Sequence, residues 1–257
     1  MTMALRPNKF TNMSDWITPN WPAPYNVQAL FTTRHGGMSS GPYASLNLSD
    51  HVGDNPLIVQ QNRVKLRRVL PGEPQWLKQV HGSIPIWVDN NVIAPEGDAA
   101  LSRTCNVVCA ILTADCLPIF LCDNAGTVAG IVHAGWRGLV AGVIERTVTE
   151  MRGGNAQIMA YLGPAIGPNF FEVGEKVRYA FIKQDKKSAL AFAPHYENNS
   201  KKWFADIFLL ARQRLAAIGV TEVYSNEECT FSNPKRFFSY RRDGNTGRMA
   251  GLIWLTK

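Results

Sequence analysis

Three residues that can bind a transition metal each close or interrupt an apolar segment of the chain. His81 ends the segment 76–80 and precedes a glycine, Cys116 lies between two apolar runs, and His133 ends the run 127–132. Two imidazoles and one thiolate make a suitable ligand set for a catalytic zinc ion, with the fourth position open to water or substrate. The sequence therefore predicts a metal site, although the wide spacing of these ligands does not by itself establish that they converge.

The segment around His133 has the sequence TVAGIVHAGWRGLVAG (127–142). It predicts a strand that ends at His133, a glycine-bracketed turn and then a helix. Active sites in open α/β sheets usually lie at the carboxyl ends of strands. Trp136 and Arg137 would begin the helix, whose free N–H groups and dipole favour anions. His133 and Arg137 are therefore candidate catalytic residues, and Trp136 is a candidate for stacking on a substrate ring.

The segment around Cys116 has the sequence ILTADCLPIF (111–120). An acidic residue and a thiol between two apolar runs are costly unless they are paired or bind something. Pro118 lacks a backbone donor and predicts an irregular strand or a bulge at this point. Cys116 is thus a candidate ligand or nucleophile, and Asp115 is a candidate general acid or base.

Short apolar runs alternate with helical patterns along the chain, which predicts an α/β or α+β sandwich with a mixed sheet flanked by helices. The predicted strands are 27–33, 75–80, 84–88, 106–113, 118–122, 127–133, 157–162 and 251–255. The predicted helices are 54–70, 139–151, 172–183 and 205–218. Residues 1–25, rich in Pro, Asn and Trp, predict an extended lead-in, and no repeat or linker divides residues 26–257, so we expect one catalytic domain.

The composition narrows the classes of function. Of the 257 residues, 46% are hydrophobic and 18% are charged, which is typical of a folded protein. No apolar run approaches the roughly 18 to 20 residues that span a membrane, and the N-terminus MTMALRPNKF lacks the apolar part of a secretory signal. We therefore expect a cytoplasmic protein without a membrane partner. With an odd number of cysteines, five, a disulfide framework is not expected, and Cys105, Cys109 and Cys122 are predicted to be buried.

The net charge of +7 comes from scattered basic residues, without a basic helix, a zinc-finger spacing or an RNA-binding aromatic motif. A basic pocket for a small anion explains this charge as well as nucleic acid does. Nucleic acid is therefore not an expected partner.

Six blocks of the sequence resemble the YfiH family, also called the polyphenol oxidase (laccase-domain) or peptidoglycan editing factor family. They occur in the family's order and cover nearly the whole chain after residue 25. The blocks are TTRHGGMSSGPYASLNL (32–48), KQVHG (78–82), TADCLPI (113–119), VHAGWRG (132–138), YLGPAIGPNFFEVG (161–174) and FFSYRRDGNTGRMAGLIW (237–254). The resemblance implies a zinc site built from His81, Cys116 and His133. It also implies an α/β sandwich similar to the catalytic domain of cytotoxic necrotizing factor, a Cys–His enzyme.

Members of this family, including the animal homologue FAMIN, are described as purine nucleoside enzymes. They phosphorolyse adenosine, inosine and methylthioadenosine, and they deaminate adenosine. Other members are described as copper-dependent phenol oxidases or as amidases that edit a peptidoglycan precursor. The resemblance thus implies a purine nucleoside and phosphate as substrates, with zinc as cofactor and copper as the alternative metal at the same ligands.

The ligand supply argues against a multicopper oxidase. Such an enzyme needs a blue-copper site and a trinuclear cluster, whereas the chain has five histidines and no H-x-H pair. Deamination suits a zinc site, since zinc activates water, and Asp115 is the nearest carboxylate in sequence to act as acid or base. A metal-free cysteine hydrolase is the competing class, with Cys116 as nucleophile and His133 as its base.

Phosphorolysis also needs an anion site for phosphate next to the ribose. Guanidinium groups suit this role, and the candidates are Arg34, Arg137, Arg241 and Arg242. Arg34 and Arg137 lie in glycine-rich segments, and His35, which follows Arg34, is a further candidate for lining the substrate pocket.

Overall fold

A computed structural model of the protein describes residues 15–89, 94–152, 157–197 and 200–257. These residues form thirteen strands and six α-helices, with short 3-10 turns at Gly41–Tyr43 and Lys186–Ala191. The elements follow the chain as β1 (Val27–Phe31), α1 (Pro56–Arg67), β2 (Pro74–Gln75), β3 (Pro85–Trp87), β4 (Ala99–Ser102), β5 (Val108–Thr113), β6 (Leu117–Asp123), β7 (Ala129–Ala134), α2 (Trp136–Ala141), α3 (Val143–Met151), β8 (Ile158–Leu162), β9 (Glu172–Val173), α4 (Glu175–Gln184), β10 (Phe192–Glu197), β11 (Ser200–Ala205), α5 (Ile207–Ala217), β12 (Glu222–Ser225), α6 (Tyr240–Asp243) and β13 (Met249–Leu255).

The strands form three sheets in the described residues. A six-stranded sheet has the order β12-β8-β6-β7-β4-β3, a four-stranded sheet has the order β1-β13-β5-β2, and a small sheet has the order β10-β11-β9. Both larger sheets are mixed, because β12 runs parallel to β8, β3 to β4 and β2 to β5, while the other pairs are antiparallel. The predicted α/β (α+β) class is confirmed, with three sheets where the sequence indicates one.

The two larger sheets pack face to face. Ile111 and Ile253 of the four-stranded sheet share a buried cluster with Phe120 and Ile131 of the six-stranded sheet. Side chains alternate between the faces of a strand, so the opposite face of the six-stranded sheet packs on α2 to α5, and the opposite face of the four-stranded sheet packs on α1. The result is a layered order of helix, sheet, sheet and helices, held mainly by apolar burial.

The central strands β5, β6 and β7 are fully buried, as their continuous apolar sequences predict. The predicted irregularity or bulge at Pro118 is wrong. Pro118 lies opposite His133 in the regular β6–β7 register, and its carbonyl accepts the N–H of Gly163. Pro118 has no N–H to donate toward β8. It lies just past the pair of Ile119 with Leu162, the last residue of β8, so the β6–β8 ladder lacks a hydrogen bond only at its end.

Helix boundaries differ from the predictions where local backbone geometry intervenes. The predicted helix 139–151 is two helices, because Gly142 between them adopts a φ of +84°, which glycine tolerates without a Cβ clash. The predicted helix 172–183 starts late, because Glu172 and Val173 pair with β11. No strand is predicted for β10 or β11, which pair Phe192–Glu197 with Ser200–Ala205, because their polar sequence lacks a clear alternation of apolar residues.

Residues 1–14 of the predicted lead-in lie outside the described residues. Of the remainder, Ile17 forms an antiparallel bridge with Phe31, and Trp21 packs on Tyr161. Cys109 and Cys122 are buried as predicted, whereas Cys105 is exposed, so its predicted burial is wrong. Cys105 lies in a bridge to the last strand rather than inside an apolar strand. Every helix in the described part of the chain is too short or too polar to serve as a transmembrane segment.

Candidate metal centre and adjacent pocket

His81, Cys116 and His133 lie together at one edge of the sheets. Their candidate ligand atoms are all within 4.8 Å of one another. The Sγ atom of Cys116 is 3.9 Å from Nε2 of His81, and the two imidazole rings meet nearly edge to face with their centroids 4.8 Å apart. The structure therefore brings together three predicted ligands that are widely separated in sequence.

Each ligand has a different structural support. His133 is a buried residue near the end of β7, and Cys116 lies in the bend between β5 and β6, where Thr113 donates a hydrogen bond to its carbonyl. His81 is exposed in a turn and has a φ of +59°, in the left-handed region. The backbone approaches the ligands closely at Gly135, where an added Cβ would lie 3.0 Å from the Cys116 Sγ. An alanine at position 135 would therefore require the neighbouring ligand side chains to shift by a few tenths of an ångström.

Asp98 connects two of the ligands and is absent from the sequence predictions. Its fully buried Oδ1 lies 2.8 Å from Nδ1 of His133 and accepts the His81 N–H at 3.0 Å. Its Oδ2 accepts the N–H groups of Val80 and Gly82. An Nδ1 contact of this kind orients the ring and leaves Nε2 for a metal ion. The only signal in the sequence is an acidic residue directly before the apolar segment AALS (99–102).

The electrostatics of the cluster favour the metal-binding form of Cys116. Burial acts to raise the pKa of the thiol, but the neighbouring His133, with a smaller effect of His81, outweighs it and lowers the pKa to about 6. Burial acts to lower the pKa of His133, but Cys116 and Asp98 outweigh it and raise the pKa to about 9. In the protein without metal, the pair is therefore a thiolate beside an imidazolium near neutral pH, and the thiolate is the ligand form of cysteine.

The donor set fits a transition metal ion such as zinc or copper, because two imidazoles and a thiolate converge and one imidazole is oriented by a buried carboxylate. In the described residues this is the only group of three or more His, Cys, Asp or Glu side chains placed to hold an ion. The other histidines, His35, His51 and His195, do not join it. A second cluster, as a multicopper oxidase requires, is therefore absent from the part of the chain that the structure describes.

A pocket of about 120 Å³ opens beside Cys116. The residues that line it include Asp115, Trp136, Phe171, Tyr240 and Arg241. The structure therefore brings the predicted residues Asp115, Trp136 and Arg241 next to a metal ligand. Tyr240, which is exposed on the pocket wall, is missing from the predictions because nothing in its local sequence distinguishes it from a surface tyrosine.

Asp115 holds two loops at the pocket. Its φ is +89°, its side chain is buried, and its Oδ1 accepts the hydroxyl of Thr230 at 2.6 Å. Its Oδ2 accepts the backbone N–H of Arg241 at 2.7 Å. Both carboxylate oxygens therefore have protein partners, and the role of Asp115 as general acid or base stays a prediction.

Arg34 and His35 are not among the residues that line this pocket. The guanidinium of Arg34 donates to the carbonyls of Ala44 and Pro234 and lies over the ring of Phe238. His35 is exposed in the following turn. The contacts of Arg34 thus tie together distant segments of the chain, and the substrate-binding roles of Arg34 and His35 stay predictions.

The other predicted arginines have different surroundings. Arg137 is exposed at the start of α2 and lies over the ring of Trp136. Arg241 points its guanidinium at the carbonyl of Glu172, 2.8 Å away. Arg242 donates from all three guanidinium nitrogens and forms an ion pair with the neighbouring Asp243. Arg137 and Arg241 are therefore near the pocket, whereas Arg242 is fully engaged within the protein.

Comparisons with known proteins identify the family of this chain. Residues 28–256 match the family described as "Multi-copper polyphenol oxidoreductase laccase". The chain is 50% identical to "Purine nucleoside phosphorylase YfiH" of Shigella flexneri and 49% identical to the protein of that name from Escherichia coli strain K12, covering 95% of this chain and 100% of each relative. A crystal structure of a DUF152 protein from Neisseria meningitidis is 46% identical and superposes with a TM-score of 0.87, covering 95% of this chain and 100% of that one. The chain therefore belongs to the YfiH (DUF152) family of laccase-like proteins.

Proposed function

We propose that the protein is a zinc-dependent purine nucleoside phosphorylase. In this reaction, phosphate cleaves adenosine, inosine or methylthioadenosine to the free base and ribose 1-phosphate or its methylthio analogue. The same site would deaminate adenosine. The observation that carries the proposal is the convergence of His81, Cys116 and His133 beside a pocket. Two relatives that are 50% and 49% identical carry the name purine nucleoside phosphorylase, which supports the reaction class.

The residues have distinct roles in this proposal. His81, Cys116 and His133 would hold the zinc ion, and Asp98 keeps the His133 ring oriented toward it. Zinc, when bound, supplies a Lewis acid for the reacting oxygen atoms and activates water for the deamination. Trp136 offers an aromatic face for the purine at the pocket wall, where stacking with a flat ring is favourable.

The phosphate must lie beside the ribose with its charge compensated. Arg241 lines the pocket, and Arg137 lies over the ring of Trp136, which also lines it. Guanidinium groups bind phosphate oxygens through charge-assisted hydrogen bonds. For the deamination, Asp115 is the proposed proton carrier, because it lines the pocket and directly precedes Cys116 in the sequence.

A second candidate is a cysteine amidase acting on a peptidoglycan precursor. The cluster offers Cys116 as nucleophile, His133 as its base and Asp98 as the carboxylate that orients the base. The pKa of Cys116 is lowered to about 6. This arrangement is typical of enzymes with an activated cysteine nucleophile. Copper-dependent phenol oxidation has weaker support, because the described residues hold one cluster of metal ligands.

The experiment that separates these functions is a product assay with protein purified without added metal. Adenosine is incubated with and without inorganic phosphate, and base, nucleoside and sugar phosphate are quantified by chromatography. The phosphorylase proposal expects ribose 1-phosphate only with phosphate, in an amount equal to adenine plus hypoxanthine, because inosine from deamination is itself phosphorolysed. Without phosphate, deamination appears as inosine alone. Covalent trapping of Cys116 by an acyl substrate, with full turnover in the presence of a chelator, would instead support the amidase.

A further inference from the structure

Arg248 lies at the same sheet edge as Cys116, although nothing in the sequence singles it out. It directly precedes Met249, which pairs with Thr113 in the register of β13 and β5. Three residues beyond Thr113 the chain reaches Cys116. The guanidinium carbon of Arg248 is also 5.7 Å from the ring centroid of Tyr240, which lines the pocket. The guanidinium therefore lies beside a residue of the pocket wall.

Most of the hydrogen-bonding capacity of Arg248 is unused within the described residues. Its Nη1 donates to the carbonyls of Thr246 and Gly247 at 2.8 and 3.0 Å. Its Nε and Nη2 have no hydrogen-bond partner among the residues that the structure describes, and no carboxylate oxygen in that part of the chain lies within 4.0 Å. Nε and Nη2 form the edge of a guanidinium that can bind two oxygens of one anion.

The charge of Arg248 is poorly compensated by the protein. Burial lowers the pKa of its guanidinium, and Cys116 and Asp115 offset this only in part. An arginine side chain keeps its charge at every ordinary pH. A half-buried guanidinium without a carboxylate partner therefore favours the binding of an anion. A metal ion bound to Cys116 would neutralise that thiolate and leave the positive charge of Arg248 less compensated.

We infer that Arg248 binds inorganic phosphate through its Nε and Nη2 atoms, beside Cys116 and Tyr240. The inference rests on the proposed phosphorolysis and adds the residue that positions the attacking phosphate. Arg248 holds a more enclosed position than the exposed Arg137 and Arg241, and its free nitrogen pair matches two oxygens of a tetrahedral anion. Its role is to bind and orient phosphate, with no part in proton transfer.

Steady-state kinetics of the zinc-loaded protein test this role. The variants Arg248→Met and Arg248→Lys are compared with Arg146→Met, which removes an exposed arginine on α3. We expect the KM for phosphate to rise about 10- to 100-fold in Arg248→Met, because two charge-assisted hydrogen bonds are lost. Arg248→Lys keeps the charge without the paired donors and should lie between Arg248→Met and the wild type. The KM for adenosine and the zinc content should change little, and Arg146→Met should behave as the wild type. An unchanged phosphate KM in Arg248→Met would overturn the inference.

Direct binding of inorganic phosphate separates this inference from the proposed function. Calorimetric titrations with sodium phosphate are made at constant ionic strength, with chloride as the reference anion, on folded protein as verified by thermal unfolding. Binding to the wild type that is at least about tenfold weaker in Arg248→Met supports the phosphate site. If the wild type shows this binding but no phosphorolysis, the proposed function fails while the phosphate site stands. Equal binding by both proteins, or no binding to the wild type, overturns the phosphate site.

Discussion

The Nδ1 atom of His133 lies 2.8 Å from Oδ1 of Asp98, and the same carboxylate accepts the backbone N–H groups of Val80, His81 and Gly82. One fully buried side chain therefore fixes both the histidine on β7 and the turn that carries His81. Because the ligands are held in place before an ion binds, little ordering is needed when it does, which favours tight binding.

Replacing Asp98 with asparagine should weaken zinc binding about 10- to 100-fold. The amide nitrogen of asparagine cannot accept a hydrogen bond, so either the His133 contact or the contacts to Val80 and Gly82 would be lost. Zinc affinity is measured by competition with a chromophoric chelator. The matched control is Asp123→Asn, since Asp123 is also buried and accepts backbone N–H groups, from Thr127 and Val128.

Asp123 lies at the opposite end of β6 from Pro118 and the metal ligands. Its replacement should therefore lower thermal stability and leave zinc affinity unchanged. Equal zinc affinity in Asp98→Asn and in the wild type would show that Asp98 does not preorganise the site.

The pH dependence of Cys116 alkylation follows from its lowered pKa. Because only the thiolate reacts, the alkylation rate of Cys116 in metal-free protein should rise with pH through a midpoint near 6. The rate should be close to its maximum at pH 7. Iodoacetamide labelling followed by peptide mass spectrometry measures each cysteine separately, and the exposed Cys105 reports on the reagent. A midpoint for Cys116 near the ordinary thiol value of about 8.5 would contradict the ion pair with His133. Zinc should protect Cys116 from the reagent and leave Cys105 reactive.

Adding a methyl group at Gly135 should disturb the metal site. The new Cβ would lie 3.0 Å from Sγ of Cys116 and 3.1 Å from Cδ2 of His81. The backbone itself accepts alanine, since φ is −76°. Overpacking of this kind costs about 1–3 kcal/mol, so we expect Gly135→Ala to weaken zinc binding about tenfold or more. Gly174 provides a matched control, because it caps α4 with a φ of −83° and an added Cβ would meet nothing within 4 Å.

Gly174→Ala should retain the zinc affinity and the melting temperature of the wild type. If Gly135→Ala also binds zinc normally, the ligands adapt to the extra methyl group, and the close approach of backbone and site is not a constraint on function.

The parts of the site that could be predicted are those encoded in local patterns. The apolar runs give β5, β6 and β7, and the glycines around Trp136 and Arg137 mark the turn from β7 into α2, with His133 near the end of its strand. These features depend on periodicity and on turn residues that lie within a few positions of one another. The two buried ligand segments are therefore visible in the sequence.

Other parts depend on contacts between distant segments. Asp98 is 35 residues from His133, and its role appears only when β4 pairs with β7. Arg34 lies in a glycine-rich segment that suggests a binding loop, yet its guanidinium contacts a carbonyl 200 residues away, at Pro234. Arg248 has no local pattern, and its relation to Cys116 follows from the register of β13 on β5. Strand pairing, which a single sequence does not specify, decides the positions of Asp98 and Arg248, and a contact between two loops decides that of Arg34.

The central claim is that phosphorolysis depends on a zinc ion held by His81, Cys116 and His133. The most direct measurement combines elemental analysis with the adenosine and phosphate assay, on the wild type and on His81→Ala and Cys116→Ala purified in parallel without added metal. We predict about one zinc ion per chain in the wild type and loss of both zinc and ribose 1-phosphate formation, by about 100-fold or more, in each variant. Ribose 1-phosphate formed at the wild-type rate by folded Cys116→Ala, or by wild type stripped of zinc, would contradict the claim.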